Sequence, residues 1–313
     1  MNIFRLHDEI MTDYRSYIKS FIHISDEAIR STVEAELEEG KLWPEPLIQF
    51  NPAFLQGESV ESLVMRDRLH SAVKHAFAGY NLYAHQVEAI TLGVQEKNFV
   101  VTSGTGSGKS LTYLGTIFNH LFRLGDKKIT GIQAILVYPM NALINSQYQE
   151  IEGYAANYLK ETKQKFPISF AKYTGQEDEA KREEIRKTPP DILLTNYMML
   201  ELILTRIQER SLRDTIFQHL KYLVFDELHT YRGRQGADIA LLIRRIKSRS
   251  SLPVICIGTS ATMVSGGSVD EQKARVAEVA GKPVWAAFVS GGAWREGLAP
   301  PRSRGGNPRA GPP

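Results

Sequence analysis

The run from Val100 to Ser110, Val-Val-Thr-Ser-Gly-Thr-Gly-Ser-Gly-Lys-Ser, constrains this chain more than any other segment. An apolar stretch ending at Thr102 meets a glycine-rich turn, which closes on Lys109-Ser110 and opens an amphipathic pattern at Leu111. This predicts a strand, a tight loop and a helix in immediate succession. Glycines let backbone N–H groups converge on an anion, and the start of the following helix adds its positive end. Thr105, Gly106, Ser107 and Gly108 are the expected loop contacts to phosphate. Lys109 is expected to reach the β- and γ-phosphates, and the Ser110 hydroxyl to bind Mg²⁺. The strict pattern has a glycine five residues before Gly108, where this chain has Ser103.

A second apolar run, Tyr222-Leu-Val-Phe225, ends in Asp226-Glu227-Leu228-His229. An acid at the carboxyl end of a buried strand is where phosphate-loop enzymes hold their metal. Asp226 is expected to take Mg²⁺, and Glu227 to orient and activate an attacking water. The two segments together predict ATP hydrolysis.

The ordered segments resemble superfamily 2 helicases of the DExH/DEAD-box type. Tyr83-Ala-His-Gln86 resembles the glutamine motif, Ser103–Ser110 motif I, and Tyr138-Pro-Met-Asn-Ala-Leu143 motif Ia. Tyr173-Thr-Gly175 and Asp191–Asn196 resemble segments that touch the nucleic-acid backbone. Asp226–His229 resembles motif II, and Ser260-Ala-Thr262 motif III. The longer phrase Asp226–Gly236 is similar to a bacterial DNA-helicase branch related to the Lhr and MrfA groups. The resemblance covers roughly residues 45–280.

It implies several roles. Gln86 would read adenine, although by itself it could be a surface helix glutamine. His229 would contact the γ-phosphate region or motif III, and Ser260 and Thr262 would couple hydrolysis to movement. Asn141, Thr174, Gly175, Thr195 and Asn196 would grip phosphate and sugar with little sequence preference. Asn141 and Asn196 each precede a predicted helix, so capping is an equal alternative. The implied ligands are ATP, Mg²⁺ and nucleic acid, by branch resemblance single-stranded or partly duplex DNA.

Composition narrows the alternatives. The sole cysteine, Cys256, lies in the apolar run Pro253–Gly258 and reads as a buried strand residue, which excludes an internal disulfide. No apolar run approaches a membrane span, and the start of the chain lacks a secretory pattern, so a cytoplasmic location is expected. The net charge of +3 is misleading. Residues 281–313 hold five basic residues and one acid; without them the chain has 33 basic and 34 acidic residues, a net charge of −1. Global charge therefore gives no support to nucleic-acid binding.

Residues 1–80 read as a helical accessory segment, either a structural appendage or a guide for substrate. Leu6, Ile10, Tyr14, Ile18 and Phe21 recur at helical spacing. A second helix runs from Ser25 or Asp26 to Glu39, capped by Ser25 and stopped by Gly40, and a third stretch spans Ser59–Phe77. Trp43-Pro-Glu-Pro46 and Asn51-Pro52 interrupt the pattern. Residues 81–280 read as a RecA-like α/β domain, a mostly parallel sheet covered by helices. Its expected strands are Phe99–Thr102, Ala134–Tyr138, Ile168–Tyr173, Ile192–Thr195, Tyr222–Phe225 and Val254–Gly258. Gln176–Lys187 reads as a solvated helix with Glu177–Lys181, Asp178–Arg182 and Glu183–Lys187 pairs. A helix from about Asp238 carries Arg244, Arg245, Lys247 and Arg249 near its end. A further helix is expected over Asp270–Ala280.

Residues 281–313 hold 6 of the 14 prolines and 7 of the 24 glycines, so a disordered tail is expected, either a flexible linker or the product of a shifted reading frame after Ala280. Nothing after Thr262 resembles the second RecA-like domain that carries an arginine finger in superfamily 2 motors. The expectation is a weakly active half-motor, with a partner chain able to supply the missing half. The competing reading is a catalytically silent ATP- or nucleic-acid-binding module. A P-loop ATPase unrelated to nucleic acid accounts less well for the segments resembling motifs Ia and III.

Overall fold

A computed structural model describes residues 3–38, 54–104, 106–125, 130–231 and 233–261. The chain divides into two compact units between Pro52 and Ala53. The first contains α1 (Ile3–Ser20) and α2 (Glu27–Glu38). The cap of α2 is Asp26 rather than Ser25: its Oδ1 accepts from the N–H groups of Ala28 and Ile29 at 2.9 and 3.0 Å. Gly40, Trp43–Pro46 and Asn51-Pro52 lie outside the described residues.

Residues 54–80 belong to the second unit, not to a helical appendage. The stretch expected to be one helix is broken into β1 (Gln56–Ser59), α3 (Val60–Met65) and α4 (Val73–Ala76). The strand β1 pairs antiparallel with β2 (Asn81–Tyr83). Val60, Leu63, Leu69, Val73 and Phe77 are buried in the same core as the main sheet. Ser59 both ends the strand and caps α3, accepting from Ser62 N–H at 3.2 Å. The apolar spacing was visible in the sequence, but the pairing partner lies some twenty residues away.

The remaining elements alternate: α5 (Ala84–Val94), β3 (Phe99–Thr102), α6 (Lys109–Leu124), β4 (Ala134–Tyr138), α7 (Asn141–Thr162), β5 (Phe170–Lys172), α8 (Glu179–Lys187), β6 (Ile192–Asn196), α9 (Tyr197–Thr205), α10 (Arg210–His219), β7 (Tyr222–Phe225), α11 (Gly233–Arg249) and β8 (Ile255–Ser260). The last helix starts five residues before the expected Asp238. All six strands β3 to β8 are parallel, in the order β3-β8-β7-β4-β6-β5. The fold is therefore the expected RecA-like one.

Alternation along the buried strands sorts side chains onto two cores. Leu136, Leu194 and Val224 face one way with α6 and α7, whereas Ile135, Val137, Leu193 and Leu223 face the other with α9 to α11. Cys256 is fully buried in the second core, and burial pushes its thiol up to about 11. In the charged segment, Glu183–Lys187 forms at 2.8 Å. Asp178 instead caps α8 through Lys181 N–H, and Glu177 turns to Thr174.

β8, last among the described strands, lies between β3, which carries the glycine-rich loop, and β7, which carries Asp226. β4, β6 and β5 form the other half. Asp226 N–H donates to Val137 O at 2.9 Å across the seam between halves.

Helix α5 packs on α6 through glycine. A Cβ at Gly93 would lie 2.4 Å from Thr116 Oγ1, a short branched side chain that is itself fully buried. Gly93→Ala gains about 1 kcal/mol of helix propensity, but overpacking costs typically 1–3 kcal/mol. Gly153 is also inside a helix, α7, and nothing lies within 4 Å of its added Cβ. The urea midpoint should therefore fall for Gly93→Ala and rise for Gly153→Ala. Equal shifts in one direction would mean that the α5–α6 contact is looser than described.

Candidate active site

The glycine-rich loop sits where the sequence put it, between β3 and α6. Gly106 and Gly108 have φ of +77° and +68°, and Gly108 is the residue that opens α6. A Cβ at Gly108 would meet Gln86 Nε2 at 2.5 Å, so both conformation and space require glycine there. Ser103 and Ser107 hydroxyls share a hydrogen bond of 2.5 Å, which accounts for a serine in place of the first glycine. Lys109 Nζ arches over the loop, donating to Ser103 O and Gly104 O at 3.1 and 3.3 Å. Thr105 lies outside the described residues.

Gln86 has partners other than those expected. Its Oε1 accepts from Tyr83 N–H at 2.8 Å, and its Nε2 donates to Ser107 O at 3.2 Å and Gly108 O at 2.9 Å. With the residue 3% exposed, both ends of the amide are engaged within the protein. His85, unremarked in the sequence, does related work: its Nε2 lies 3.1 Å from Ser107 O. The ring stacks on Tyr83 and touches Phe54. Burial, and more weakly the Lys109 charge, lower the His85 pKa against the opposing Ser107 carbonyl.

Asp226 is held out of water at the end of β7, 8% exposed. Burial raises its pKa, and the Glu227 charge adds to this; Thr259 and Lys109 oppose it. Thr259, fully buried at the end of β8, donates its hydroxyl to Asp226 Oδ1 and accepts from Glu227 N–H at 3.2 Å. Glu227 has φ +52°, a left-handed kink that turns its side chain away from the strand direction. Its Oε2 is buried with no donor in hydrogen-bonding geometry among the described residues, and lies 3.2 Å from His229 Nδ1. His229 Nδ1 is in turn 3.3 Å from Ser260 Oγ. The segments resembling motifs I, II and III thus meet on neighbouring strands, and Ser103 N–H donates to Ser260 O at 3.2 Å. Thr262 lies outside the described residues, as do Asp270–Ala280 and residues 281–313.

The donor set suits Mg²⁺ in the manner expected. No group of three or more His, Cys, Asp or Glu able to hold a metal occurs among the described residues. A nucleotide-bound Mg²⁺ needs no such cage, being held by one or two protein oxygens together with phosphates and waters. Asp226, a buried carboxylate beside a second acid, gains from a cation, and Ser110, whose side chain is hydrogen-bonded to Tyr113, stands in the first turn of α6 on the loop side.

The five nucleic-acid candidates behave differently from one another. Asn196 Oδ1 caps α9, accepting from Met199 N–H at 2.8 Å, while its Nδ2 donates to Asn141 Oδ1 at 3.1 Å. Asn141 is the first residue of α7 and does not cap it. Thr195 is fully buried and donates to Tyr173 O at 2.7 Å, and Thr174 donates to Glu177. Neither threonine hydroxyl is turned outward. Both sit at the inward positions of their strand ends, which resemblance to a motif does not reveal. Gly175 is exposed.

No described helix is long and apolar enough to cross a membrane. The DEAD/DEAH box helicase family matches residues 83–267. An uncharacterized ATP-dependent helicase of Methanocaldococcus jannaschii is 32% identical over 190 residues, 59% of this chain and 26% of its own length. The uncharacterized ATP-dependent helicase YprA of Bacillus subtilis is 31% identical over 65% of this chain and 25% of its own. The chain thus spans about a quarter of the length of these curated relatives. Among solved structures, the DUF1998 helicase MrfA bound to DNA and AMPPNP aligns with a TM-score of 0.58 at 25% identity, over 85% of this chain and 34% of MrfA. Helicases named Lhr are among the further relatives, in keeping with the branch expected from Asp226–Gly236. By the glycine-rich loop, the buried Asp226 with Glu227 beside it and the match over most of the second unit, this chain belongs to the DEAD/DEAH box helicase family.

Proposed function

We propose that this chain supplies the MgATP-binding half of a DNA helicase or translocase. One observation carries the reading: Lys109 and Ser110, Asp226 and Glu227, and Ser260 converge on one half of the sheet's carboxyl edge, with Asn141 and Asn196 joined on the other half. In open α/β sheets this edge is where ligands bind. The likeness to MrfA, solved with DNA and AMPPNP, supports DNA as the polymer.

Lys109 and the loop amides hold the phosphates. Ser110 and Asp226 would hold Mg²⁺, which would supply positive charge to offset that of the phosphates. The buried Glu227 Oε2 accepts a hydrogen bond from the attacking water, with His229 Nδ1 beside it and next to Ser260 Oγ. Hydrolysis rests on positioning and charge stabilisation, with no covalent intermediate on the protein. Strand movement additionally needs an arginine finger, which in P-loop enzymes contributes roughly 10³–10⁵ in rate.

Calorimetry with Mg²⁺ and AMPPNP tests the nucleotide half. Lys109→Ala removes the charge facing the phosphates and should weaken binding at least about tenfold, a loss of about 1.4 kcal/mol. Equal affinities for the two proteins would remove Lys109 from the site. Turnover measured with and without single-stranded DNA separates the motor reading from a silent binding module, for which DNA changes nothing.

Gln86 and His85 act in this reading by bracing the loop through Ser107 O and Gly108 O. Gln86→Ala should weaken AMPPNP and a bare pyrophosphate by similar factors. A loss confined to AMPPNP would return Gln86 to adenine reading. The depressed pKa of His85 also fixes a pH dependence. Above the ordinary imidazole value of 6.5, the folded and unfolded forms are both neutral and stability is fully present. As pH falls below 6.5, the unfolded chain takes up the proton first, so stability is lost. His70 and His120 are shifted the same way, both mainly by burial. The melting temperature should drop between pH 7 and pH 5.5, and less steeply for His85→Asn. An identical slope for the variant would assign the effect to the other two histidines.

A further inference from the structure

Three tyrosines surround the inner side of Asp226: Tyr113 on α6, Tyr138 at the end of β4 and Tyr231 beyond β7. None is assigned a part in the reaction above. All are at most 2% exposed, and the Asp226 charge acts on each, adding to the upward pull of burial on their pKa values. Tyr113 differs from its neighbours in what its hydroxyl touches. It lies 3.2 Å from Tyr138 Oη and donates to Gln147 Oε1 at 3.3 Å.

The positions of these groups matter more than the bonds themselves. Tyr113 is one helical turn after Ser110, so its ring moves with the helix whose first turn binds phosphate. Tyr138 is the last residue of β4, and Gln147 is in the second turn of α7, the helix that begins at Asn141. Asn141 is hydrogen-bonded to Asn196. Tyr113 therefore bridges the two halves of the sheet at their seam. One end of the connection is the nucleotide loop; the other is the helix that carries an outer polar residue of the proposed DNA face. A phenylalanine would pack the same space, so packing alone does not call for the hydroxyl.

We propose that the Tyr113 hydroxyl couples nucleotide binding to the Asn141–Asn196 face, as a positioning residue that transmits the seating of α6 to β4 and α7. This rests on the nucleic-acid reading for its second ligand. Spatial connection alone does not establish coupling, so the test has to measure coupling directly.

The experiment uses the whole 313-residue chain and two variants, Tyr113→Phe and Gln147→Ala. The second lies on a half-exposed surface and leaves the tyrosine core intact. Affinity for a fluorescent oligothymidine is measured with and without saturating Mg²⁺ and AMPPNP. Amide exchange across residues 138–147 is followed with and without the same nucleotide. The wild type should show a nucleotide-dependent affinity ratio of at least about fivefold, the lower end of typical coupling, and a nucleotide-dependent change in exchange. In both variants the affinity for each ligand alone should be kept, the ratio should fall towards one, and the exchange response should shrink. A ratio and an exchange response as large as in the wild type would overturn the proposal. A wild type that binds no oligothymidine in either state would remove the nucleic-acid reading, and the exchange arm would then decide the Tyr113 link by itself. A wild type with neither response overturns both.

Discussion

A carboxylate kept out of water has to be compensated, and Asp226 is the point around which this site is arranged. Its compensation comes from a neighbouring strand. Thr259 reaches Asp226 because β8 lies beside β7, and the same strand touches the glycine-rich loop through Ser260 O because β3 is its other neighbour. A different strand order would separate these three groups without changing any of them. Segments more than 150 residues apart in the chain thus become adjacent by topology, through parallel strands whose register is fixed residue by residue from Phe99–Ile257 to Thr102–Ser260. Cys256 N–H, donating to Asn98 Oδ1 at 2.8 Å, pins the beginning of the same pair.

The loop has a second support that is independent of the sheet. A glycine-rich turn is entropically costly to hold in one shape, and its carbonyls need donors if its amides are to face a ligand. His85 and Gln86 supply those donors from the first turn of α5. The close approach of Gly93 to Thr116 sets that helix against α6, and Gly108 leaves room for the Gln86 amide. In the proposed reading, phosphate binding is prepared from behind the loop by His85 and Gln86. Local strain at Glu227 has a comparable role on the other side of the site. Its left-handed φ costs energy for a residue with a Cβ, and it brings the carboxylate beside His229 instead of along the strand.

What could be read from the sequence follows from how local the signal is. The strands Phe99–Thr102, Ala134–Tyr138 and Tyr222–Phe225 agree residue for residue with expectation, because continuous apolar runs bounded by turns mark strands buried on both faces. The positions of Lys109 and Ser110 at the close of a glycine-rich turn, and of Asp226 and Glu227 at the end of an apolar run, follow from equally local signals. The strand β1 was not, since Gln56-Gly-Glu-Ser59 has no apolar alternation and owes its shape to pairing with β2. Thr259 was passed over in favour of Ser260, its neighbour, because only strand order tells which of two adjacent hydroxyls faces Asp226. Thr195 shows the converse, a residue in the right segment whose hydroxyl is turned to the Tyr173 carbonyl.

The division of the carboxyl edge into two halves gives these details a common physical sense. On the nucleotide side Asp226, Ser107 and Thr259 are buried and hydrogen-bonded, which strengthens any charge acting there. On the other side Asn141 and Asn196 form an amide pair whose orientation is set by the α9 cap: Asn196 Oδ1 is taken by Met199 N–H, so Nδ2 is what remains to donate to Asn141 Oδ1. In the proposed reading this amide pair would meet an anionic backbone rather than base edges. Between the two halves lie the buried tyrosines and the Asp226–Val137 backbone bond, a dry seam in which a small displacement cannot be absorbed by solvent. In the coupling proposed for it, the Tyr113 hydroxyl, buried against Tyr138 and Gln147, has more to do there than fill space.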